Sequence, residues 1–357
     1  MQIPIDESSR HYQEPDVSAS LPLSAPAAET ALPPPRRDFA PLLLVPAIVI
    51  AALPLLGVSN WLALTVAGLS MGMMIFIMAS GLTLVFGLMG VLNFGHGAFV
   101  TVGAYVATLV LLPMRGWLEP DAIGPNLAVL ALAVGAAMAA TFVLGWAFER
   151  VVIRPVYGNH LKQILVTMGG MIVAEQLVTA FWGADQIAVP MPASLSGAIF
   201  IGQAAIEKYR LFATAVGLVV FAAMFLVLNR TRLGLLIRAG VENGAMVEAL
   251  GYRIRRIFIL VFAAGSALAG LGGTLWGVYK SVLSAGIGGE ILVLVFIVVI
   301  IGGLGSVGGC FIGALLLALV NTYAGYLAPK LALVSNIVLM IAVLLWRPAG
   351  LYVQGRH

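Results

Sequence analysis

The sequence predicts an all-α polytopic membrane protein of about ten transmembrane helices, in an inverted five-plus-five repeat with glycine-broken segments. Three observations predict it. The chain of 357 residues is 61% hydrophobic and only 10% charged, with mean hydropathy +1.05, whereas a soluble domain carries about 25% charged residues. Apolar runs close to the ~20 residues that cross hydrocarbon recur along the whole length. The stretch from Gly81 to Val106, GLTLVFGLMGVLNFGHGAFVTVGAYV, is apolar throughout yet broken at Asn93-Phe94-Gly95-His96-Gly97. Irregular backbone survives at membrane depth only inside protein or beside a water-filled cavity, and a glycine-punctuated break marks a transport pathway.

Residues 1–38 differ from the rest. They hold Asp6, Glu7, Glu14, Asp16, Glu29 and Asp38, with Pro33-Pro34-Pro35 before Arg36-Arg37. Such a segment cannot bury enough apolar surface to order itself, and it lacks the basic start and apolar core of a signal peptide. It reads as a disordered cytoplasmic tail. The permease domain then spans 39–350, with halves at about 39–182 and 211–347.

Apolar run length places spans at roughly 39–57, 61–86, 96–113, 126–148, 163–182, 211–229, 257–279, 289–303, 309–327 and 332–347. The second run is long enough to include a re-entrant piece, and the eighth and tenth are short. With the N-terminus inside, the outside pieces hold five of the 19 Lys and Arg residues: Arg115, Lys208, Arg210, Lys280 and Lys330. The other fourteen are inside, as the positive-inside rule requires. Both termini are then cytoplasmic. The net charge of +4 is this loop bias, not a nucleic-acid footprint. The single cysteine, Cys310, makes neither an intrachain disulfide nor a zinc cluster and reads as a small buried side chain.

The chain also resembles itself. A shift of 191 positions lays Gly81, Thr83, Leu84, Val91, Leu92, Gly95 and Gly97 on Gly272, Thr274, Leu275, Val282, Leu283, Gly286 and Gly288, without a gap. The first copy follows the second span and the second copy the seventh. A five-span unit is necessarily inverted when repeated, so the first break lies on the cytoplasmic side and the second outside. The alternative is that two glycine-rich helix ends look alike by composition.

Candidate pathway residues follow from these breaks. Asn93 is placed to cap the helix after it. Phe94, Gly95, His96 and Gly97 surround the first break, and Gly286 and Gly288 the second; tight packing and a direct pathway role stand about even. His96 has no His, Cys or carboxylate neighbour in sequence, so no metal site is expected. Gly303, Gly305 and Ser306 lie in the cluster Gly302 to Gly309, which reads first as a packing hairpin and second as a pathway element. No phosphate-binding G-x-x-x-x-G-K-[ST] occurs. Glu175 sits inside the fifth span, where a carboxylate is costly and a functional role is the default hypothesis.

The segment 229–256, NRTRLGLLIRAGVENGAMVEALGYRIRR, is too long for a simple connection. Ala245 to Leu250 can form a short amphipathic helix stopped by Gly251. It would offer Met246, Val247 and Leu250, beside Glu248 and Ala249, to a soluble partner or to anionic lipid.

The stretch around the Asn-Phe-Gly-His break carries a resemblance, together with Glu149-Arg150, Arg154-Pro155, Glu248-Ala249-Leu250-Gly251, GGLGSVGGCFIGA and Arg347-Pro348-Ala349-Gly350-Leu351. Over about residues 60 to 352 the chain resembles the permeases of branched-chain amino-acid ABC importers, in their Asn-Phe-Gly-His form. The resemblance implies a bacterial inner-membrane subunit that pairs with a paralogous second permease. It also implies two ATPase subunits, docked at Glu248 to Gly251, and a periplasmic substrate-binding protein. No cofactor and no covalent chemistry are implied. The family also includes permeases for urea, short-chain amides and aromatic carboxylates. From another class, a proton-coupled carrier using Glu175 stays open, while the long basic segment argues against it and against a passive channel.

Overall fold

The computed structural model describes residues 40–352; the N-terminal segment read as a tail lies outside them. The elements run α1 (Ala40–Leu56), α2 (Val58–Met89), α3 (His96–Leu111), a single turn α4 (Arg115–Leu118), α5 (Ile123–Phe148) and α6 (His160–Trp182). They continue with β1 (Ile187–Ala188), β2 (Ala198–Ile201), β3 (Ala204–Glu207), α7 (Lys208–Arg230), α8 (Arg232–Ala249) and α9 (Ile254–Lys280). The chain closes with β4 (Val282–Leu283), α10 (Ile287–Gly302), α11 (Val307–Leu327) and α12 (Ala332–Trp346).

Among the described residues six helices are long and apolar enough to cross a membrane: Val58–Met89, Ile123–Val156, His160–Trp182, Lys208–Arg230, Ile254–Lys280 and Val307–Leu327. Four apolar helices are shorter: Ala40–Leu56, His96–Leu111, Ile287–Gly302 and Val334–Trp346. The protein is therefore a mostly helical, multi-pass membrane protein. These helices fall within a few residues of the expected runs. The second run holds no re-entrant piece; α2 is one helix of 32 residues.

Two expectations are corrected. The fold is not purely helical, because the connection after α6 folds into a β2–β3 hairpin and lends β1 to β4, with Ile187 opposite Leu283. A hairpin satisfies its own backbone groups where helix cannot continue through Pro190 and Pro192. The basic segment is not a loop with a short helix either. It is one 18-residue helix, α8, capped at its start by the Thr231 hydroxyl, which accepts from the Gly234 N–H at 3.4 Å.

The core lies where α2 and α9 cross. Residues Met74 to Ala79 of α2 are fully buried, as are Phe262 and Ala263 of α9. Lipid supplies no hydrophobic drive between helices, so close packing of small residues must do the holding. Gly81 and Gly265 oppose each other backbone to backbone: a Cβ built on Gly265 would fall 2.7 Å from the Gly81 carbonyl oxygen. Gly103 and Gly270 join α3 to α9 in the same way. The outer faces also carry large apolar side chains, with Phe181, Val219 and Leu345 each mostly exposed on α6, α7 and α12.

Candidate functional site at the helix breaks

The two breaks share their backbone conformation at both ends, although only the second carries a strand, β4, between them. α2 ends at Met89 and α9 at Lys280. The next residue is left-handed in each case, Gly90 at φ 60° and Ser281 at φ 58°. Ser281 is the single non-glycine residue with positive φ among those described, so the break imposes a conformation that disfavours a side chain. Gly95 (φ −72°, ψ −1°) and Gly286 (φ −78°, ψ 0°) then precede α3 and α10, both of 16 residues.

The starts of α3 and α10 touch. A Cβ on Gly97 would strike the Gly288 carbonyl, and one on Gly288 would strike the Gly97 carbonyl. The approach is direct backbone contact and leaves no passage between these two glycines. The Gly288 N–H, one of the amides that a helix start leaves unpaired, donates to Thr101 Oγ1 at 3.0 Å.

At the first break the Phe94 N–H donates to Thr167 Oγ1 (3.1 Å), and the Phe94 ring lies 4.6 Å from that of Phe296. His96 is buried with Nε2 2.9 Å from the Met78 carbonyl oxygen, a core histidine satisfied by backbone. Asn93 does not cap α3 with its side chain. Gly95 occupies the cap position, and the His96 N–H donates to the Asn93 carbonyl at 3.3 Å. The Asn93 amide is buried with neither polar atom paired among the described residues.

One face of α6 covers both breaks. Thr167, Met171 and Glu175 recur every four residues, which aligns them along a helix. Thr167 holds Phe94, and Met171 Cε comes within 3.0 Å of a Cβ on Gly97 and 3.4 Å of one on Gly289. Glu175 Oε1 lies 3.5 Å from the position a Cβ on Gly286 would take. Phe94, Gly95, Gly97, Glu175, Gly286 and Gly288 thus come together.

Gly303, Gly305 and Ser306 form a second cluster. A Cβ on Gly87 would lie 2.6 Å from Gly305 Cα, and Gly303 packs on Ala349 and Tyr352. Ser306 caps α11, its Oγ accepting from the Gly309 N–H at 3.1 Å. These are packing and capping contacts.

Thr101, Thr167 and Met171 went unnoticed in the sequence because hydroxyls and thioethers are ordinary in membrane helices. Glu290 is different: an exposed carboxylate in the first turn of α10. The rule that singled out Glu175 applies equally to it. Its place at a helix start is favourable, since the dipole there is positive. The site offers two carboxylates and two helix starts. Among the described residues no group of three or more His, Cys, Asp or Glu is placed to hold a metal.

The end of α8 is a Schellman motif. The Gly251 N–H donates to the Glu248 carbonyl (2.9 Å) and the Tyr252 N–H to the Val247 carbonyl (3.2 Å), with Gly251 at φ +88°. Met246, Leu250 and Tyr252 are exposed, as are Glu248 and Ala249. Val247 is not offered outward as expected; it is buried, on the side of α8 that faces the bundle.

The fold and these breaks define a multi-pass membrane permease. The family described as branched-chain amino acid transport system, permease component, matches residues 64–344, and the chain belongs to it. Among its relatives, the high-affinity branched-chain amino acid transport system permease protein BraD of Pseudomonas aeruginosa is 31% identical over 301 residues, covering 82% of this chain and 95% of the relative. The corresponding protein LivH of Escherichia coli K12 is 29% identical over 299 residues, covering 80% and 92%. The permease protein LivM of the same organism is 28% identical over 313 residues, covering 80% and 69%. No solved structure matches the chain. As a permease component the chain is not an enzyme, and the proton-carrier reading gives way.

Proposed function

We propose that this chain is one membrane half of an ATP-driven importer of branched-chain amino acids in the bacterial inner membrane. The observation that carries it is the family match across residues 64–344, with relatives named for that transport. All ten apolar helices would span, with both termini cytoplasmic and residues 39–350 as the permease domain. The inverted five-plus-five repeat is supported by the matching conformations at the two ends of each break and by the reciprocal Gly97–Gly288 contact. Two equivalent residues that touch each other lie on a two-fold axis.

The substrate path would run along the outer side of this junction, past Glu175 and Glu290, and not between the glycines. An exposed carboxylate such as Glu290, beside half-buried Glu175, calls at membrane depth for a partner surface or water. A second permease subunit, of the kind the LivM relative represents, would close the path from the other side. The Schellman end of α8, with Glu248 and Leu250, would seat in a separate ATPase subunit. A periplasmic binding protein would deliver substrate to the outer face.

Reconstitution of the full set of subunits in proteoliposomes tests the reading. ATP-dependent leucine uptake, competed by isoleucine and valine, is expected. Uptake competed by urea or short-chain amides and not by leucine would overturn the substrate.

A further inference from the structure

The cleft between α5 and α9 has a chemistry that transport does not use. The two helices meet closely at small residues: a Cβ on Gly145 would fall 2.5 Å from Ser266 Cβ, and one on Gly270 would fall 2.9 Å from Thr141 Cγ2. Next to that crossing the side chains are large. Phe142 and Trp146 of α5 face Ile259 and Leu260 of α9, with Ala263 between them, and a cleft of about 620 Å³ opens there. Its volume is that of a small-molecule site.

Four arginines line the same cleft: Arg150, Arg154, Arg255 and Arg256. Arg150 and Arg154 are brought to it by an unusual turn, a π-helix over Glu149–Ile153 that tightens into a 3₁₀ turn over Arg154–Val156. Such widened turns recur at functional positions. All four arginines are exposed, and none forms an ion pair among the described residues, where the two ion pairs are Arg115–Glu119 and Arg210–Glu207. The neighbouring acid, Glu149, is buried, and its Oε1 accepts from the Tyr157 hydroxyl at 2.8 Å. Burial, and then that bond, raise the Tyr157 pKa, so the phenol keeps its proton. Among the described residues, then, no carboxylate pairs with these four arginines.

We propose that this cleft binds the headgroup of an anionic phospholipid, with the phosphate held by the arginines and an acyl chain laid along Phe142, Trp146 and Leu260. Guanidinium groups match phosphate oxygens in pairs. The Arg150 guanidinium also lies 5.4 Å from the centre of the Trp146 ring, and an exposed tryptophan with an arginine marks the level of the headgroups. Basic clefts between helices at this level suit acidic lipid. A free phosphate would use the arginines but leave the apolar walls without a role. The inference rests on the membrane embedding of the chain and is independent of its substrate.

The full-length chain with its partner subunits, in nanodiscs of phosphatidylcholine with or without 20% (about one lipid in five) cardiolipin or phosphatidylglycerol, provides the test. Lipids retained after detergent transfer are counted by native mass spectrometry. Selective retention of the anionic lipid is expected, falling about tenfold or more in the Arg255→Gln/Arg256→Gln variant and staying unchanged in Arg230→Gln/Arg232→Gln. Glycerol phosphate, a headgroup without chains, should fail to displace it. Three results would overturn the proposal: equal retention of phosphatidylcholine, equal loss in both variants, or full displacement by glycerol phosphate. So would protection of the four arginines from modification that requires the ATPase subunit and not the lipid.

Discussion

Adding a methyl group at the Gly97–Gly288 contact should loosen the bundle by a predictable amount. A Cβ at Gly97 would lie 2.9 Å from the Gly288 carbonyl carbon, and one at Gly288 would lie 2.7 Å from that of Gly97. Carbon atoms prefer separations of about 3.5 Å or more. The helix starts must therefore part by roughly 0.6 Å for the first and 0.8 Å for the second, and by more where the carbonyl oxygens intrude. Overpacking of this kind costs about 1–3 kcal/mol. Gly288→Ala also displaces Thr101, whose hydroxyl accepts the Gly288 N–H, which adds about 1 kcal/mol. Helix propensity returns about 0.5–1 kcal/mol in each case. The net expectation is roughly 0.5–2 kcal/mol lost for Gly97→Ala and about 1–3 kcal/mol for Gly288→Ala. The double variant should lose less than the sum, because helices parted for one methyl have room for the other. Gly135 of α5 has open space around it, so Gly135→Ala should gain about 0.5 kcal/mol. Equilibrium unfolding in detergent measures all four variants. If Gly97→Ala and Gly288→Ala prove as stable as Gly135→Ala, the contact is not what holds α3 to α10.

The remaining predictions concern docking, energy and orientation. Gly251→Val forces a β-branched residue into φ +88°, a strain of at least about 1–2 kcal/mol; inserted protein should co-purify poorly with ATPase or uncouple its hydrolysis, with Gly251→Asn milder. Glu248→Lys should act like Gly251→Val, and normal transport in both would remove the docking role. Glu175→Gln should keep most ATP-driven uptake, while a pH gradient alone drives none; proton-driven uptake lost in that variant would reverse the assignment. For orientation, Asn93 and His96 are too buried to label. Cysteines at Gly90 and Ser281, equivalent and exposed positions of the two breaks, should react from the cytoplasmic and outer faces respectively, and reaction of both from one face would defeat the inverted arrangement.

Much of the fold was legible in the sequence because membrane physics leaves few options. A run of apolar residues that must satisfy its own backbone becomes a helix, and its length gives its bounds. The breaks were legible for the same reason, since glycine at Gly90, Gly95 and Gly286 permits turns that lipid otherwise forbids. The β2–β3 hairpin was not legible, because its strands are four residues each and lie beyond the apolar runs. The length of α8 was missed because Gly234, Gly240 and Gly244 lower the helix propensity along it. In the fold Gly234 sits against Leu228 and Gly240 against Ile254, so these two glycines serve close packing.

The site was less legible than the fold, and the repeat explains why. A shift of 191 positions finds what the two halves must share, and the shared positions hold the scaffold: the helix start and the glycine contact. At the same shift Asn93 meets Ser284, His96 meets Ile287, Thr101 meets Leu292 and Glu290 meets Phe99. Polar groups therefore sit where the halves differ, and a search for self-similarity passes over them. Glu290 lies in an apolar helix, exposed, beside a break that Glu175 also approaches. Desolvating that carboxylate against lipid would cost several kcal/mol, whereas a partner subunit or a water path removes the cost. The side of the bundle that carries Glu290 and Glu175 is accordingly where a second permease subunit would gain most by packing.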